Sequence, residues 1–294
     1  MRIRINKKGF TLIEILIAMA ISCFVVIALY QTFSLQQKSY GIQENVAAMQ
    51  QTLRVSLLML TDDLRMAGFD SQLSGNFGIT DIQARDIDNN ADSTLAGNSS
   101  ITFTVDWNED GGIDENETIQ YSVYDFIDTD GNLDLARDNG GGRQLFAENV
   151  QKFGMAYAFD KDQDGELDTY KASNAGDTEH IIWAVDSDGD NDLDINLDTN
   201  LDGIIDINDS PGGAGTNGII EGTALTDFSG TAIADVAVAD IKAVRIWLIV
   251  ETDEINPGYN NTDTFIAGKY VITPNLKKRI RQASTIVHCR NLAL

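Results

Sequence analysis

One stretch near the N-terminus is apolar almost throughout. Between Phe10 and Phe33 the only charged side chain is Glu14. As a helix, these residues would extend about 36 Å, which exceeds the ~30 Å hydrocarbon core of a bilayer. The pattern therefore predicts a membrane-spanning helix at 10–33. A secretory signal peptide fits less well, because its apolar region is shorter.

The helical pattern continues beyond the apolar stretch. Residues 10–66 contain no proline and one glycine, Gly41. Apolar residues recur there at the three- and four-residue spacing of one helix face, namely Ile42, Val46, Met49, Leu53, Leu57, Leu60 and Leu64. We predict a single N-terminal helix over 10–67, with an amphipathic part at 42–66 that packs on the rest of the chain and an end at Gly68.

Shorter alternating runs after the helix predict β-strands. They lie at 101–105, 118–124, 150–159, 180–185, 243–251 and 269–273, and turns rich in Gly, Asn and Asp separate them. We expect these strands to form one antiparallel sheet that packs on the amphipathic part of the helix. The predicted fold class is therefore α+β, with a β-rich globular head at 68–294.

The charge of the chain is distributed very unevenly. The whole sequence has 21 Lys and Arg against 45 Asp and Glu, a net charge of −24, and 32 of the acids lie between Asp81 and Asp209 with only six basic residues. This balance argues against nucleic acid as a partner, since phosphate binding needs clustered cations. The first nine residues have four basic side chains and no acid. The positive-inside rule then leaves this end in the cytoplasm and the head outside it.

Two segments of the acidic insertions, which we place at 81–210, have the spacing of a twelve-residue calcium loop. Segments 106–117 and 198–209 carry oxygen side chains at loop positions 1, 3, 5, 9 and 12, with glycine at position 6 and a main-chain carbonyl available at position 7. The predicted ligands are Asp106, Asn108, Asp110, Gly112, Asp114 and Glu117 in one loop, and Asp198, Asn200, Asp202, Ile204, Asp206 and Asp209 in the other.

Two further segments match the same pattern in part. Segment 160–168 offers Asp160, Asp162, Asp164, Glu166 and Asp168, and segment 186–194 offers Asp186, Asp188, Asp190, Asp192 and Asp194. Lys171 and Leu197 stand where the closing acids belong, and Asn191 replaces a glycine. The run at 128–134 fits a solvated turn equally well. Such turns are the alternative for every loop, but bound calcium would relieve the repulsion between so many carboxylates. We predict calcium as a cofactor, held in loops inserted in a β-rich head.

No catalytic set of residues is predicted, so an enzyme is not expected. The two histidines, His180 and His288, lie in a strand pattern and in a basic tail, where a structural role is the simpler interpretation. Cys23 belongs to the predicted membrane helix and Cys289 to the head, which makes a bond between them within one subunit improbable.

Glu14, the acid in the apolar helix, is the residue of this segment that indicates a function. A carboxylate in hydrocarbon costs at least ~2.5–3.5 kcal/mol, so it marks a partner or a function. Basic residues, Gly9, then Phe10-Thr11-Leu12-Ile13-Glu14 and an unbroken apolar helix resemble the class III signal of type IV prepilins and type II secretion pseudopilins. The resemblance implies removal of a leader, 1–9, by the prepilin peptidase and N-methylation of Phe10. It also implies pairing of Glu14 with the terminal amine of a neighbouring subunit.

Two other regions are similar to PilW-type minor pilins. Segment 60–69 (LTDDLRMAGF) resembles the end of their stem, and segments 241–250 and 277–292 resemble their late strand and basic tail. The resemblance implies a minor pilin that acts in pilus assembly and tip priming. It further implies other pilins as partners through the helix, and the inner membrane as the location before entry into the pilus fibre or exposure at the cell surface. A J-type minor pseudopilin of type II secretion and a calcium-dependent surface adhesin on a pilin stem remain alternatives.

Overall fold

The computed structural model describes residues 9–83, 98–124, 132–171, 178–209, 218–253, 255–256, 258–273 and 277–293. The chain divides into two compact units, Met1–Ala48 and Met49–Leu294. The last part of the N-terminal helix therefore belongs to the same unit as the β-sheets, which we call the head unit.

Helix α1 covers Leu12–Met66. An 18-residue window within it has a mean hydropathy of 2.8, so by length and composition the helix can cross a membrane. Its C-terminal end is set by Gly68, whose φ of +76° suits glycine. A β-carbon at this glycine would also lie 2.3 Å from the Leu292 side chain. Packing and backbone geometry thus end the helix where the sequence predicts.

Seventeen strands are present in the described residues. Their bounds are β1 Ile79–Asp81, β2 Ile101–Thr104, β3 Thr118–Tyr124, β4 Asp134–Asp138, β5 Gln144–Ala147, β6 Val150–Phe159, β7 Thr169–Lys171, β8 Glu179–Ile181, β9 Ala184–Val185, β10 Asp192–Leu193, β11 Ile195–Asn196, β12 Thr223–Ala224, β13 Val236–Ala237, β14 Ile241–Glu251, β15 Phe265–Ala267, β16 Tyr270–Ile272 and β17 Ile280–His288. Short 3₁₀ helices cover Glu115–Glu117, Ile207–Asp209, Val238–Asp240 and Arg290–Ala293.

The strands form two larger antiparallel sheets. One has five strands in the order β1-β2-β3-β4-β5, and the other has six in the order β12-β11-β9-β6-β14-β17. Three two-stranded pairs, β7–β8, β10–β13 and β15–β16, complete the described part of the head. The predicted fold class is confirmed, because a long N-terminal apolar helix is followed by antiparallel sheets, and the last part of the helix packs within the head unit. The expectation of a single sheet was wrong.

The outer part of α1 buries one face within the head unit. Met49, Leu53, Leu60 and Leu64 are buried, as their spacing predicts. Ser56 is also buried, whereas Leu57 is only half-buried. Serine can occupy this face because its hydroxyl donates a hydrogen bond to the Thr52 carbonyl at 2.7 Å.

One strand prediction was wrong, and one strand was not predicted. Segment 180–185 is not one strand, because Ile182 and Trp183 separate β8 from β9 and are themselves buried. The basic tail contains a long strand that its charge obscured. This strand, β17, pairs with β14 from Ala243–His288 to Glu251–Ile280.

Candidate functional site

The start of α1 is capped by the predicted processing segment. Gly9 and Phe10 lie before the helix and are exposed. The Glu14 carboxylate accepts hydrogen bonds from the N–H of Thr11 at 2.8 Å and from its hydroxyl at 2.9 Å, and the Glu14 N–H donates to the Thr11 hydroxyl at 3.4 Å. This is a capping box, and it holds the carboxylate at the positive end of the helix dipole.

The loop at 106–117 connects β2 to β3 and is closed by its last acid. Glu117 is buried, and its Oε1 accepts hydrogen bonds from the N–H groups of Trp107 at 2.9 Å and Asn108 at 3.2 Å. Its Oε2 accepts one from the N–H of Asp114 at 2.9 Å. A single carboxylate therefore ties the beginning of the loop to its end.

The loop at 198–209 is closed in the same way. Asp209 is buried, and its Oδ1 accepts from the N–H groups of Thr199 at 2.8 Å and Asn200 at 3.3 Å, while Oδ2 accepts from Asp206 at 2.8 Å. These donors occupy the same loop positions as in 106–117. Burial raises the pKa of Asp209 above the usual aspartate range. In both loops the closing acid lies in a short 3₁₀ helix.

Both loops turn sharply at the same two positions. Gly111 and Gly203, at position 6, have φ of +76° and +87°. Glu109 and Leu201, at position 4, have φ of +60° and +59°, which residues other than glycine adopt infrequently. The sequence indicated the glycines but not the left-handed residues at position 4.

The partial loops are shorter than the sequence pattern indicated. In 160–168 the N–H of Lys161 donates to Asp168 Oδ2 at 2.9 Å, and in 186–194 the N–H of Ser187 donates to Asp194 Oδ1 at 2.8 Å. In the partial loops the acid at position 9 thus accepts a hydrogen bond from the N–H of position 2. In the complete loops the acid at position 12 accepts that bond. Loop closure therefore does not use an acid at Lys171 or Leu197.

Asparagine replaces glycine in the 186–194 loop without changing the turn. Asn191 has a φ of +76°, and its N–H donates to Asp186 Oδ2 at 2.9 Å. In 160–168 the equivalent Gly165 donates to Asp160 Oδ2 at 3.0 Å. Asparagine tolerates the left-handed region better than most residues, which accounts for the substitution.

Carboxylate oxygens converge in both partial loops. One oxygen from each of Asp160, Asp162 and Asp164 lies within 4.8 Å of the others, and the same holds for Asp186, Asp188 and Asp190. Burial raises the pKa of Asp168; the N–H of Lys161 opposes this rise, and the surrounding acids add to it. Oxygen-only sets on sharply turned loops are the donor chemistry that calcium prefers.

In 106–117 the converging group is an amide. The Asn108 Nδ2 group donates to Asp110 Oδ2 at 3.0 Å and to Asp114 Oδ2 at 2.9 Å. The side chains at loop positions 3, 5 and 9 therefore meet around one donor. A cation bound at this point would be coordinated by the same carboxylate oxygens. The residues present therefore fit an oxygen-coordinated metal.

The N-terminal segment also matches a known family model. Residues 4–30 match the prokaryotic N-terminal methylation motif. The chain therefore carries the class III signal that its sequence predicts. Its structure is similar to a type IV-like pilin from Thermus thermophilus over 83% of this chain and 97% of that one, at 13% identity and a TM-score of 0.36. Because this TM-score is low, the recognition of the signal depends on the family model alone. No curated protein matches the sequence.

Two predicted calcium ligands contribute main-chain groups to their loops. Glu166 and Asp192 stand at position 7, where the N–H of each donates to the acid at position 5, Asp164 at 2.8 Å and Asp190 at 3.0 Å. Position 7 supplies a carbonyl in this kind of loop.

Of the run at 128–134, residues 128–131 lie outside the described part. Asp134 is buried in β4 and accepts from the Asn149 N–H at 3.1 Å.

The 106–117 loop is attached to the residues that follow the stem. Ser71 Oγ donates to Asp106 Oδ2 at 2.8 Å, and Gln72 Nε2 donates to the Glu109 carbonyl at 2.9 Å. The N–H of Asp106 donates to the Phe69 carbonyl at 2.9 Å. The first predicted calcium ligand therefore also holds the junction between α1 and the head. Sequence spacing did not reveal this link, because the two segments are far apart in the chain.

Proposed function

We propose that this chain is a minor pilin subunit of a type IV pilus that acts in assembly and tip priming, with a head stabilised by calcium. The observation that carries the proposal is the N-terminal segment, where Gly9 and Phe10 precede a helix that is capped by Glu14 and able to span a membrane. Such a chain is anchored in the inner membrane before assembly and is processed by the prepilin peptidase.

The capped start of α1 suggests how Glu14 acts both in the free subunit and during assembly. Cleavage after Gly9 would create an amine on Phe10, immediately before the capping residue Thr11. In the free subunit, Thr11 supplies the hydrogen bonds of the Glu14 carboxylate. During assembly, the amine of a neighbouring subunit would pair with the same carboxylate in an apolar surrounding, where an unpaired charge is costly.

The assignment to minor pilins rests on the end of the stem. The segment 60–69, which resembles PilW-type minor pilins, contains Asp63, and this residue joins α1 to the five-stranded sheet through Tyr121 and Arg137. The segment therefore has a physical task, which is to fix the last turns of α1 to this sheet. The additional loops of the head would serve stability or contacts specific to this subunit.

Calcium would act in the head by neutralising carboxylates that folding brings together. The loops 106–117 and 198–209 would hold it with their full sets of oxygens, and 160–168 and 186–194 with sets that end at position 9. The resulting site would be structural, because strands rather than long helices flank 106–117.

Glu14→Ala tests the assembly role. We expect the variant to be cleaved after Gly9 and to remain in the membrane, but to be absent from sheared fibres, because the peptidase recognises the glycine and assembly uses the charge. Glu44→Ala, an exposed acid of the same helix outside the predicted span, is the matched control and should enter fibres normally. Normal amounts of Glu14→Ala in fibres would contradict the proposal.

Deletion of the chain separates the alternatives. Loss of pili, restored by the intact gene, supports a minor pilin. Loss of protein secretion with normal pili would favour a J-type pseudopilin, and loss of attachment alone would favour an adhesin. Co-purification with other minor pilins from detergent-extracted membranes would identify the partners.

A further inference from the structure

An amine, a carboxamide and a carboxylate meet inside the head unit, in a cluster that the proposed function does not use. Lys278 Nζ donates a hydrogen bond to the side-chain Oδ1 of Asn132 at 2.8 Å, and it lies 2.6 Å from Glu251 Oε1. An amine can attack a carboxamide carbon when a carboxylate beside it moves the protons. These three side chains therefore have the chemistry to form an amide bond with each other.

The cluster is almost completely withdrawn from water. Lys278 is 9% exposed and Asn132 is 7% exposed, and the side chain of Glu251 is 12% exposed. Val250 and Ile280, which flank the cluster along the chain, are buried as well. Lysine is almost never buried unless it is paired. Because solvent is excluded, water does not compete with the lysine amine for the amide carbon.

The reacting atoms are already close together. A carbonyl bond is about 1.23 Å long, so an Nζ that lies 2.8 Å from Oδ1 is no more than about 4.0 Å from the Asn132 Cγ. Reactive arrangements bring such atoms to about 3–3.5 Å. A small rotation of the amide about its Cβ–Cγ bond would turn the carbon towards the nitrogen.

A second carboxylate fixes the orientation of the amide. Asn132 Nδ2 donates to Asp253 Oδ1 at 3.0 Å. The amide oxygen can accept from the Lys278 ammonium but the amide nitrogen cannot, and only the nitrogen can donate to a carboxylate. The carbonyl therefore faces the lysine, and the nitrogen that would leave faces Asp253.

Backbone hydrogen bonds hold the reacting segments in place. The N–H of Thr252 donates to the Arg279 carbonyl at 2.9 Å, so the residues that follow Glu251 and Lys278 are bonded to each other. The N–H of Glu251 donates to the Asn149 carbonyl at 3.0 Å. Folding thus brings the nucleophile and the acid together before any reaction, which removes much of the entropic cost of the step.

We propose that Lys278 and Asn132 form an intramolecular isopeptide bond, with Glu251 as the catalytic base and acid. Glu251 takes a proton from Nζ, and the neutral amine attacks the Asn132 Cγ. Glu251 then gives this proton to Nδ2 and takes a second proton from Nζ. The Cγ–Nδ2 bond breaks, ammonia leaves, the Nζ–Cγ amide bond remains, and Glu251 releases its proton to solvent. The reaction needs no oxidant, metal or co-reactant.

The bond would join the two larger sheets of the head unit. Asn132 precedes β4 of the five-stranded sheet, and Lys278 precedes β17 of the six-stranded sheet, 146 positions away. A covalent link across so long a loop restricts the unfolded chain, as a disulfide does, and raises stability. Asn132 and Glu251 also line a cavity of about 920 Å³, which gives the released ammonia room to leave. The proposal depends neither on calcium binding nor on the place of the subunit in a fibre.

Mass spectrometry of the purified full-length chain tests the bond. We expect the wild type to be lighter than Lys278→Arg, after correction for the substitution, by about 17 Da, the mass of one ammonia. Trypsin digestion of the denatured wild type should leave the chain uncut after Lys278 and should give one branched peptide that contains both Asn132 and Lys278. In Glu251→Gln, where the base is missing, at most about a tenth of the molecules should carry the bond.

Lys277→Arg is the matched control, because Lys277 is the exposed neighbour of Lys278, and this variant should keep the full mass deficit. Near-UV circular dichroism identifies variants that fail to fold. If Glu251→Gln is among them, Glu251→Asp, which keeps an acid, should form the bond more slowly than the wild type. A folded wild type with its full mass and normal cleavage after Lys278 would show a buried ion pair only and would overturn the proposal. Complete linkage in folded Glu251→Gln, or an unchanged rate in Glu251→Asp, would overturn the catalytic role of Glu251.

Discussion

The Asp63 carboxylate near the end of α1 accepts a hydrogen bond from Arg137 Nε of β4 at 2.7 Å. The same oxygen, Oδ2, accepts one from the Tyr121 hydroxyl at 2.6 Å. Burial, followed by the interaction with Asp63, raises the pKa of Tyr121. One acid of the helix therefore satisfies two half-buried or buried groups of the five-stranded sheet.

Asp63→Ala should destabilise the head unit by about 2–3 kcal/mol. The substitution leaves the charged Arg137 and the neutral Tyr121 hydroxyl without their acceptor. An unsatisfied buried donor costs more free energy than the hydrogen bond itself contributes. Urea unfolding of the detergent-solubilised chain measures the change. Asp62→Ala is the control, because its pair with Arg65 spans 3.5 Å with both side chains about 60% exposed, and it should change stability by less than about 0.5 kcal/mol. Equal effects of the two variants would contradict the anchoring role of Asp63.

Gly154→Ala should cost about 3 kcal/mol of stability. The new methyl group would meet the backbone between Ala267 and Gly268 at 2.2–2.6 Å, so the β15–β16 hairpin would have to move. Thermal unfolding would show the loss. Gly141→Ala tests glycine removal alone, since its β-carbon would meet only Asn139 Oδ1 at 3.6 Å, and it should change stability by less than about 1 kcal/mol.

Calcium should stabilise the head at millimolar concentration, and a chelator should reverse the effect. Ligand that binds only the native state adds about 2.7 kcal/mol per site at a hundredfold excess over Kd. Extracellular calcium modules bind at about 10⁻⁴–10⁻³ M, and magnesium should substitute poorly because it requires tight octahedral coordination. Thermal melts with each ion measure both effects.

Variants of the closing acids localise the calcium effect. Glu117→Gln and Asp209→Asn should each remove part of the stabilisation, because both residues are buried closing acids of complete loops. Glu115→Gln removes an exposed acid of the first loop at a position that is not a predicted ligand, and it should keep the full shift. Melting temperatures indifferent to calcium would identify the loops as solvated turns.

Stability should rise with pH between about 8 and 10.5 because of Lys152. Burial lowers the pKa of Lys152 from 10.5 to about 8. In this range the unfolded chain binds the proton that the folded chain has released, so raising the pH favours the folded state. Comparing wild type with Lys152→Gln by urea unfolding at pH 7 and pH 10 isolates this contribution, on the order of 1 kcal/mol after solvent screening. Lys171→Gln should leave the pH dependence unchanged.

The pattern of the sequence identified those elements whose structure depends on residues close to one another in the chain. The helix followed from an unbroken apolar run and a three- and four-residue repeat, and α1 covers Leu12–Met66. The strands at Thr118–Tyr124 and Val150–Phe159 followed from alternation and have the predicted bounds. The spacing of acids and glycines also located the four loops, since the hydrogen bonds that close them join residues no more than ten positions apart.

Only the tertiary structure decided how these elements combine. The pattern did not show that the strands separate into two sheets, or that the basic strand β17 pairs with β14, because strand pairing depends on distant backbone and not on the strand's own composition. Asp63 meets partners 58 and 74 residues away, and the β15–β16 hairpin packs closely on the backbone of Gly154, which lies far earlier in the chain. A sequence lists the charges of these residues, but their proximity arises from packing of segments far apart in the chain.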